Sequence, residues 1–209
     1  MNTTKASWSM RKCKICKVEF TPVHSSVQMC CSINCAIEYS KQIEKKKRTK
    51  QKKVLKEKLK TKSDYQKELQ PIFNQIAREI DKSSLCLMCG KKPKKENGCH
   101  YHSVGSNPTL RWNLFNIWLG CEKCNSWLGG NINGYDNEII KYYGRDKWEY
   151  IKFDLVRIYK SLHLSIPELK ELKVLSKKIL KEVKELPVLT HHERWELRKK
   201  LNIRLNIYK

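Results

Sequence analysis

The sequence predicts a small, zinc-stabilised α+β protein, and three observations predict it. Ten cysteines in 209 residues fall into two groups with paired spacing, which is metal-site spacing. The last third carries two helix-start signatures followed by helical apolar periodicity. The stretch between the second group's cysteine pairs is rich in Gly, Asn and Trp, and fits two short strands joined by a loop. Four segments follow in order: a zinc module at 11–40, a basic helix or linker at 41–70, a zinc-bound core at 71–145 and a helical region at 146–209.

Composition sets the class. Lys and Arg number 44 against 21 Asp and Glu, a formal charge of +23, and 40% of residues are hydrophobic. Such an excess points to a polyanionic partner, most commonly nucleic acid. No run of about 18 apolar residues is present, so no membrane span is expected. The start, MNTTKASWSMRKC, lacks the apolar core of a secretory signal. Without export, the cysteines read as metal ligands rather than disulfides.

In the first group, Cys13-x2-Cys16 is followed by Cys31-x3-Cys35. Two close pairs bring four sulfurs to one ion, most often Zn²⁺. Cys30 rivals Cys31, but Cys31 places Cys35 on the first turn of the following helix. His24 lies in the loop and is the weaker candidate. Val18, Phe20 and Val27 fit a hairpin between the pairs. A zinc here would hold together a module with little core of its own.

Residues 41–62 hold twelve basic and two acidic residues, with no Gly or Pro. Ile43, Val54, Leu55 and Leu59 are too sparse for a buried stripe or a membrane face. The segment reads as a solvated helix, or a basic arm that orders on a polyanion. Lys45, Lys46, Lys47 and Arg48 are its densest cluster and the expected phosphate contacts. Pro71 then reads as the start of an amphipathic helix with Ile72, Phe73, Ile76 and Ile80 on one face.

Cys86-x2-Cys89 and Cys121-x2-Cys124 form the second group, with 31 residues between the pairs. That gap exceeds what a plain ribbon needs. Strands at roughly 99–104 and 116–120 are expected, then a short helix at Asn125–Leu128 stopped by Gly129-Gly130. A helix over 138–156 with a break near Gly144 comes next. Ser165-Ile-Pro-Glu168 and Thr190-His-His-Glu193 are capping boxes that open the last two helices. Leu169, Leu172, Val174, Leu175, Ile179, Leu180 and Val183 are the expected buried side of the first of these.

His100, Asn116 five residues before Cys121, and Asn125 directly after Cys124 resemble the HNH ββα-metal nuclease motif, with Asn in its third position. The threading of these elements between two CxxC pairs is similar to the phage endonuclease VII type. The run CHYHSVGSNPTLRWNLFNIWLGCEKCNSWLGGN, and the module Cys13/Cys16/Cys31-Ser/Cys35 with its trailing basic helix, resemble the NinG (Rap) family of lambdoid phage recombination proteins. The resemblance covers about residues 11–145.

It implies a metal-dependent endonuclease that cleaves branched DNA, such as Holliday junctions and D-loops, in the host cytoplasm on the nucleoid. Hydrolysing a phosphodiester needs an activated water and a countercharge on the phosphate. His100 is the expected general base and Asn116 its positioning residue. Asn125 is the expected protein ligand of a Mg²⁺ or Mn²⁺, or else a helix N-cap. Where HNH enzymes usually carry Asp or His before the base, this chain has Cys99, and thiolate suits Mg²⁺ poorly. Glu96, Asn97 or His102 are then candidates to compensate. His102 and Arg111 are also candidate DNA contacts, and Trp127 is expected to pack under its helix. A homodimer is expected by resemblance to junction resolvases. The alternative is a non-catalytic zinc-containing DNA-binding protein, which the Cys99 departure favours.

Overall fold

The computed structural model describes residues 8–208, and the chain divides into two units at Lys60 and Thr61. In the first, β1 (Arg11–Lys12) pairs antiparallel with β2 (Glu19–Phe20), Arg11 opposite Phe20. This hairpin wraps the first cysteine pair: the Cys13 N–H donates to the Val18 carbonyl at 2.9 Å, and Lys17 turns the chain with φ 65°. The expected hairpin is thereby corrected. Phe20 pairs with a strand that precedes the cysteine pair, while Val27 is exposed in the following loop. The reason is local: two sulfurs close together in the chain converge when the backbone flanking them closes on itself.

Helix α1 (Ile33–Lys58) starts where Ser32 accepts the Cys35 N–H at 3.3 Å, so Cys35 does sit on a first turn. None of its residues is buried. Its sparse apolar side chains leave it solvated along its length, as the sequence indicates.

The second unit opens with α2 (Lys62–Ile80), whose capping box is Thr61 and Asp64. Pro71 lies inside this helix rather than at its start. An interior proline costs about 3 kcal/mol. Tyr65, Leu69, Phe73, Ile76 and Ile80 form one fully buried face on both sides of it, and that burial outweighs the cost. The expected 41–70 segment is therefore split, its first part in α1 and its last in α2.

Strands β3 (Glu96–His100) and β4 (Ile117–Cys121) pair antiparallel, Glu96 opposite Cys121 and His100 opposite Ile117. The first lies upstream of the expected 99–104, because the chain turns away after His100. A Cβ at Gly98 would sit 2.7 Å from the Asn74 backbone, so α2 crosses β3 at a point only glycine allows. After β4 comes a single wide turn at Lys123–Trp127, then α3 (Ile132–Tyr143) and α4 (Arg145–Glu149), separated by Gly144 at φ 90°. A second wide turn at Tyr150–Asp154 leads into α5 (Leu155–Ile158).

Both later capping boxes form, opening α6 (Ile166–Glu185) and α7 (His191–Leu205). Leu169, Leu172, Ile179 and Val183 are buried, Leu175 and Leu180 half-buried, and Val174 is exposed. One apolar cluster joins α2, α6 and α7 to Trp112, Leu114 and Ile117. A second gathers Cys86, Cys99, Trp118, Tyr135 and Ile151 around the second cysteine group. Residues 146–209 thus share their core with residues 71–145. No helix among the described residues is long and apolar enough to cross a membrane.

Candidate metal centres and a histidine cavity

Cys13, Cys16, Cys31 and Cys35 converge, as do Cys86, Cys89, Cys121 and Cys124, the sulfurs of each set lying within 4.8 Å of one another. Zn–S bonds of about 2.3 Å in a tetrahedron place sulfurs about 3.8 Å apart. The observed Cys31–Cys35 and Cys89–Cys121 separations are 3.9 and 4.0 Å. Cys31, not Cys30, completes the first set.

The thiols compete for charge. Burial pushes Cys13 up, but hydrogen bonds from the backbone of Cys31, Ile15 and Cys16 outweigh it and bring it down to about 5. Its neighbour Cys31 is pushed up to about 12, chiefly by its hydrogen bond to the Cys16 thiol. Four thiolates cannot share such a cage without a cation, and the donor set fits Zn²⁺.

A separate cavity of about 480 Å³ lies beyond the end of β3, lined by His100, His102, Ser103, Ser106, Gly130 and Lys152 among others. His100, the last residue of β3, has Nε2 3.0 Å from the Arg111 carbonyl, with the Gln70 amide 3.3 Å away. A carbonyl only accepts, so it fixes the proton on Nε2 and leaves Nδ1 as the ring's acceptor. Burial lowers the His100 pKa and the nearby Arg111 charge adds to this, while the carbonyl bond opposes. The ring is therefore neutral at pH 7.

Asn116 is buried and works on backbone rather than on the His100 ring. Its Oδ1 accepts the His102 N–H at 2.7 Å, and its Nδ2 donates to the carbonyls of His102 and Leu110 at 3.0 and 3.1 Å. It fastens both ends of the 102–116 loop, whose residue Arg111 orients His100. The His102 Nε2 is held 2.8 Å from the Ile151 carbonyl, and burial lowers its pKa too. Expected to share a strand face with His100, His102 instead lies past the strand's end, yet both reach the same cavity.

Arg111 enters through its carbonyl. Its guanidinium is turned to Gln66, with Nη1 donating to Oε1 at 2.9 Å, and does not line the cavity. Asn125 is exposed on the wide turn and also lies outside the lining. Cys99 points into the core on the opposite face of β3, where burial pushes its thiol up to about 12. Trp127, expected to pack, is 80% exposed. Lys45, Lys46, Lys47 and Arg48 are exposed on α1.

Sequence reading missed Lys152. It comes from the second wide turn, lines the cavity and pairs with Asp136 at 2.7 Å. Asp136 also accepts from the Tyr101 hydroxyl and from Trp148 Nε1. Burial pushes its carboxyl up, but Lys152, Tyr101 and Trp148 outweigh that and hold it low. Nothing local marks Lys152 among 44 basic residues.

Mg²⁺ and Mn²⁺ take oxygen ligands, usually with one or two carboxylates. This cavity offers two imidazoles, two serine hydroxyls, a tyrosine whose hydroxyl is given to Asp136, and a lysine, and no carboxylate lines it. Glu96 and Asn97 lie outside the lining as well. The donor set does not fit that group.

One cysteine tetrad in each unit, both fit to hold Zn²⁺, together with the strand pair and histidine cavity of the second unit, define a strongly basic protein built on two candidate zinc sites. The family model described as bacteriophage lambda NinG protein matches residues 5–186, and the chain belongs to that family. It is 32% identical over 154 residues to protein ninG of Escherichia phage 933W, covering 65% of this chain and 77% of that protein. Protein ninG of Enterobacteria phage H19B is 29% identical over 192 residues, covering 83% and 94%. That of Escherichia phage lambda is 33% identical over 89 residues, covering 42% and 44%. No solved structure matches.

Proposed function

We propose that the chain is an endonuclease acting on branched DNA during phage recombination. The observation that carries this reading is His100. Its Nε2 is tied to a backbone carbonyl, its ring is neutral, and it borders a cavity with Lys152. In this reading Nδ1 of His100 takes a proton from the attacking water, and Lys152 offsets charge on the scissile phosphate. Asn116 holds the loop that orients the histidine. Because the cavity does not fit Mg²⁺ or Mn²⁺, no step is assigned to such an ion. Zinc in the two tetrads is structural. The net charge of +23 supports nucleic acid as partner. No segment reads as a base-reading finger array or helix-turn-helix, so shape is the expected determinant of binding.

A second reading, a non-catalytic DNA-binding protein, is favoured by the same lining without carboxylates and by the position of Asn125 outside it. One assay separates the two. Purified protein is incubated with labelled four-way junction, flap and linear duplex, each with Mg²⁺, with Mn²⁺ and with neither. Cuts near the branch point that disappear in His100→Ala support the nuclease. Preferential junction binding with no cutting under any condition supports the binding protein. In either reading the complex contains one chain or two, which sedimentation of the bound species counts.

A further inference from the structure

We infer that Trp127 and the lysines around it form a stacking platform for an unpaired base of nucleic acid. The inference rests on the nucleic-acid reading above, and not on hydrolysis. The first observation is the exposure of Trp127, at 80%, beside Leu128 at 51%. Trp112, Trp118 and Trp195 are buried, and Trp148 bonds Asp136. Among the described residues the Trp127 side chain makes no ring contact and no hydrogen bond. Exposing a whole indole forfeits the burial that normally keeps tryptophan inside, so a large exposed ring marks a surface that something else covers.

The turn explains how the ring is presented. Cys124 is the buried last member of the second tetrad, and the wide turn Lys123–Trp127 carries the chain outward from it. Gly129 and Gly130, at φ 56° and 94°, then reverse the chain before α3.

The second observation is charge. Trp127 and Leu128 line a groove of about 710 Å³ with five lysines, Lys91, Lys92, Lys94, Lys95 and Lys123. Glu122 is the one carboxylate there, and it is paired with Lys95 at 2.5 Å. A Zn²⁺ held by four thiolates would leave a charge of −2 beneath the groove, which two of the lysines offset. The groove remains positive. A single indole and a leucine are too small an apolar patch for a stable protein interface. An aromatic face ringed by lysines matches a nucleic-acid strand, whose phosphates meet the cations and whose unpaired base stacks on the ring.

Position adds a third argument. The groove is lined by Trp127 and Leu128, and the histidine cavity by the next two residues, Gly129 and Gly130. A strand with an unpaired base, as at a branch point, would find a stacking surface and a histidine cavity on either side of one short segment. An intact duplex keeps its bases stacked and offers nothing to the indole.

The test uses the full zinc-loaded chain with no added Mg²⁺ or Mn²⁺, so cleavage plays no part. Affinity is measured for a short oligothymidylate, for a duplex of equal length and for phosphatidylserine vesicles. Trp127→Ala should weaken oligothymidylate binding by about 5- to 150-fold, the range of one base–aromatic stack. Duplex affinity should change by less than about two-fold. Trp127→Phe should retain most of the binding, because its ring still stacks. Oligothymidylate should also quench a fluorescence component that Trp127→Phe lacks. The platform is overturned if wild-type protein fails to bind oligothymidylate, if Trp127→Ala binds it as wild type does, or if Trp127→Phe behaves like Trp127→Ala. Loss of vesicle binding alone in Trp127→Ala would overturn it in favour of a membrane surface. An unchanged zinc content confirms that the exposed substitution has not unfolded the turn. A failed cleavage assay would leave this result standing, and a failure here would leave His100-dependent cleavage standing.

Discussion

Arg198 on α7 clasps Asp81, at the C-terminal end of α2, across 117 residues of sequence: Nη1 donates to Oδ1 at 2.9 Å and Nη2 to Oδ2 at 2.7 Å. Both side chains are buried. The guanidinium also donates to the carbonyls of Leu114 and Ile117 and lies 3.8 Å over the Trp118 ring. Asp81 in turn accepts the Leu119 N–H at 3.0 Å. One fully satisfied ion pair therefore fastens the last helix to α2 and to β4, the strand that ends in Cys121.

Breaking that pair strands a buried cation, which costs about 3–5 kcal/mol. Asp81→Ala should lower stability by that amount in urea unfolding. Adding Arg198→Met should restore part of it, because the unpaired charge is gone. A loss below about 1 kcal/mol in Asp81→Ala would show that the pair is not what holds α7.

Asn116→Ala removes three hydrogen bonds to backbone at once, the one to the Leu110 carbonyl buried and the two to His102 half-buried. Each buried group left without a partner costs about 1–3 kcal/mol. The expected result is a clear loss of stability together with faster amide exchange at His102. An intact exchange pattern at His102 would mean that the loop holds itself.

His100→Ala should keep its fold and lower cleavage by about 10²–10⁴-fold, the usual worth of a general base. The pH dependence has a definite sign. Burial lowers the His100 pKa below 6.5, so the base is already free at neutral pH. The wild-type rate should be flat from pH 7 upward and fall only below 6.5. Stability follows the same direction: below 6.5 the unfolded chain binds a proton that the folded ring resists, so stability drops as pH falls. A rate midpoint at or above pH 7 would assign the titration to another group.

Two zinc ions per chain are expected by elemental analysis. Because the tetrads lie in separate units, their removal should have separate effects. Cys86→Ser should unfold the second unit, whose strands the tetrad pins. Cys13→Ser should disorder the hairpin and leave the second unit's near-ultraviolet signal intact. A single cooperative loss in both variants would contradict that independence.

Changing Lys45, Lys46, Lys47 and Arg48 to Gln should flatten the salt dependence of duplex binding, by up to about 0.9 in log–log slope for each phosphate that is no longer neutralised. Cleavage at saturating protein should not change. An identical slope would leave α1 as a spacer.

What could be read from the sequence alone was what neighbours in the chain decide among themselves. The Ser165–Glu168 and Thr190–Glu193 boxes and the paired cysteines each rest on interactions within a few residues and stand where they were expected, while the unstriped basic helix forms with other bounds, over Ile33–Lys58. Pro71 misled because its local signal reads as a helix start, while the buried face from Tyr65 to Ile80 that overrides it is a matter of packing. The cavity needed the tertiary structure for the same reason. Arg111 meets His100 through its carbonyl while its guanidinium turns to Gln66, and Lys152 arrives from a turn some fifty residues further along the chain. The burial of Arg198 and the exposure of Trp127 were equally invisible. Burial, and with it the strength of every charge and hydrogen bond, is set by which distant segments close over a residue, and no spacing along the chain encodes that.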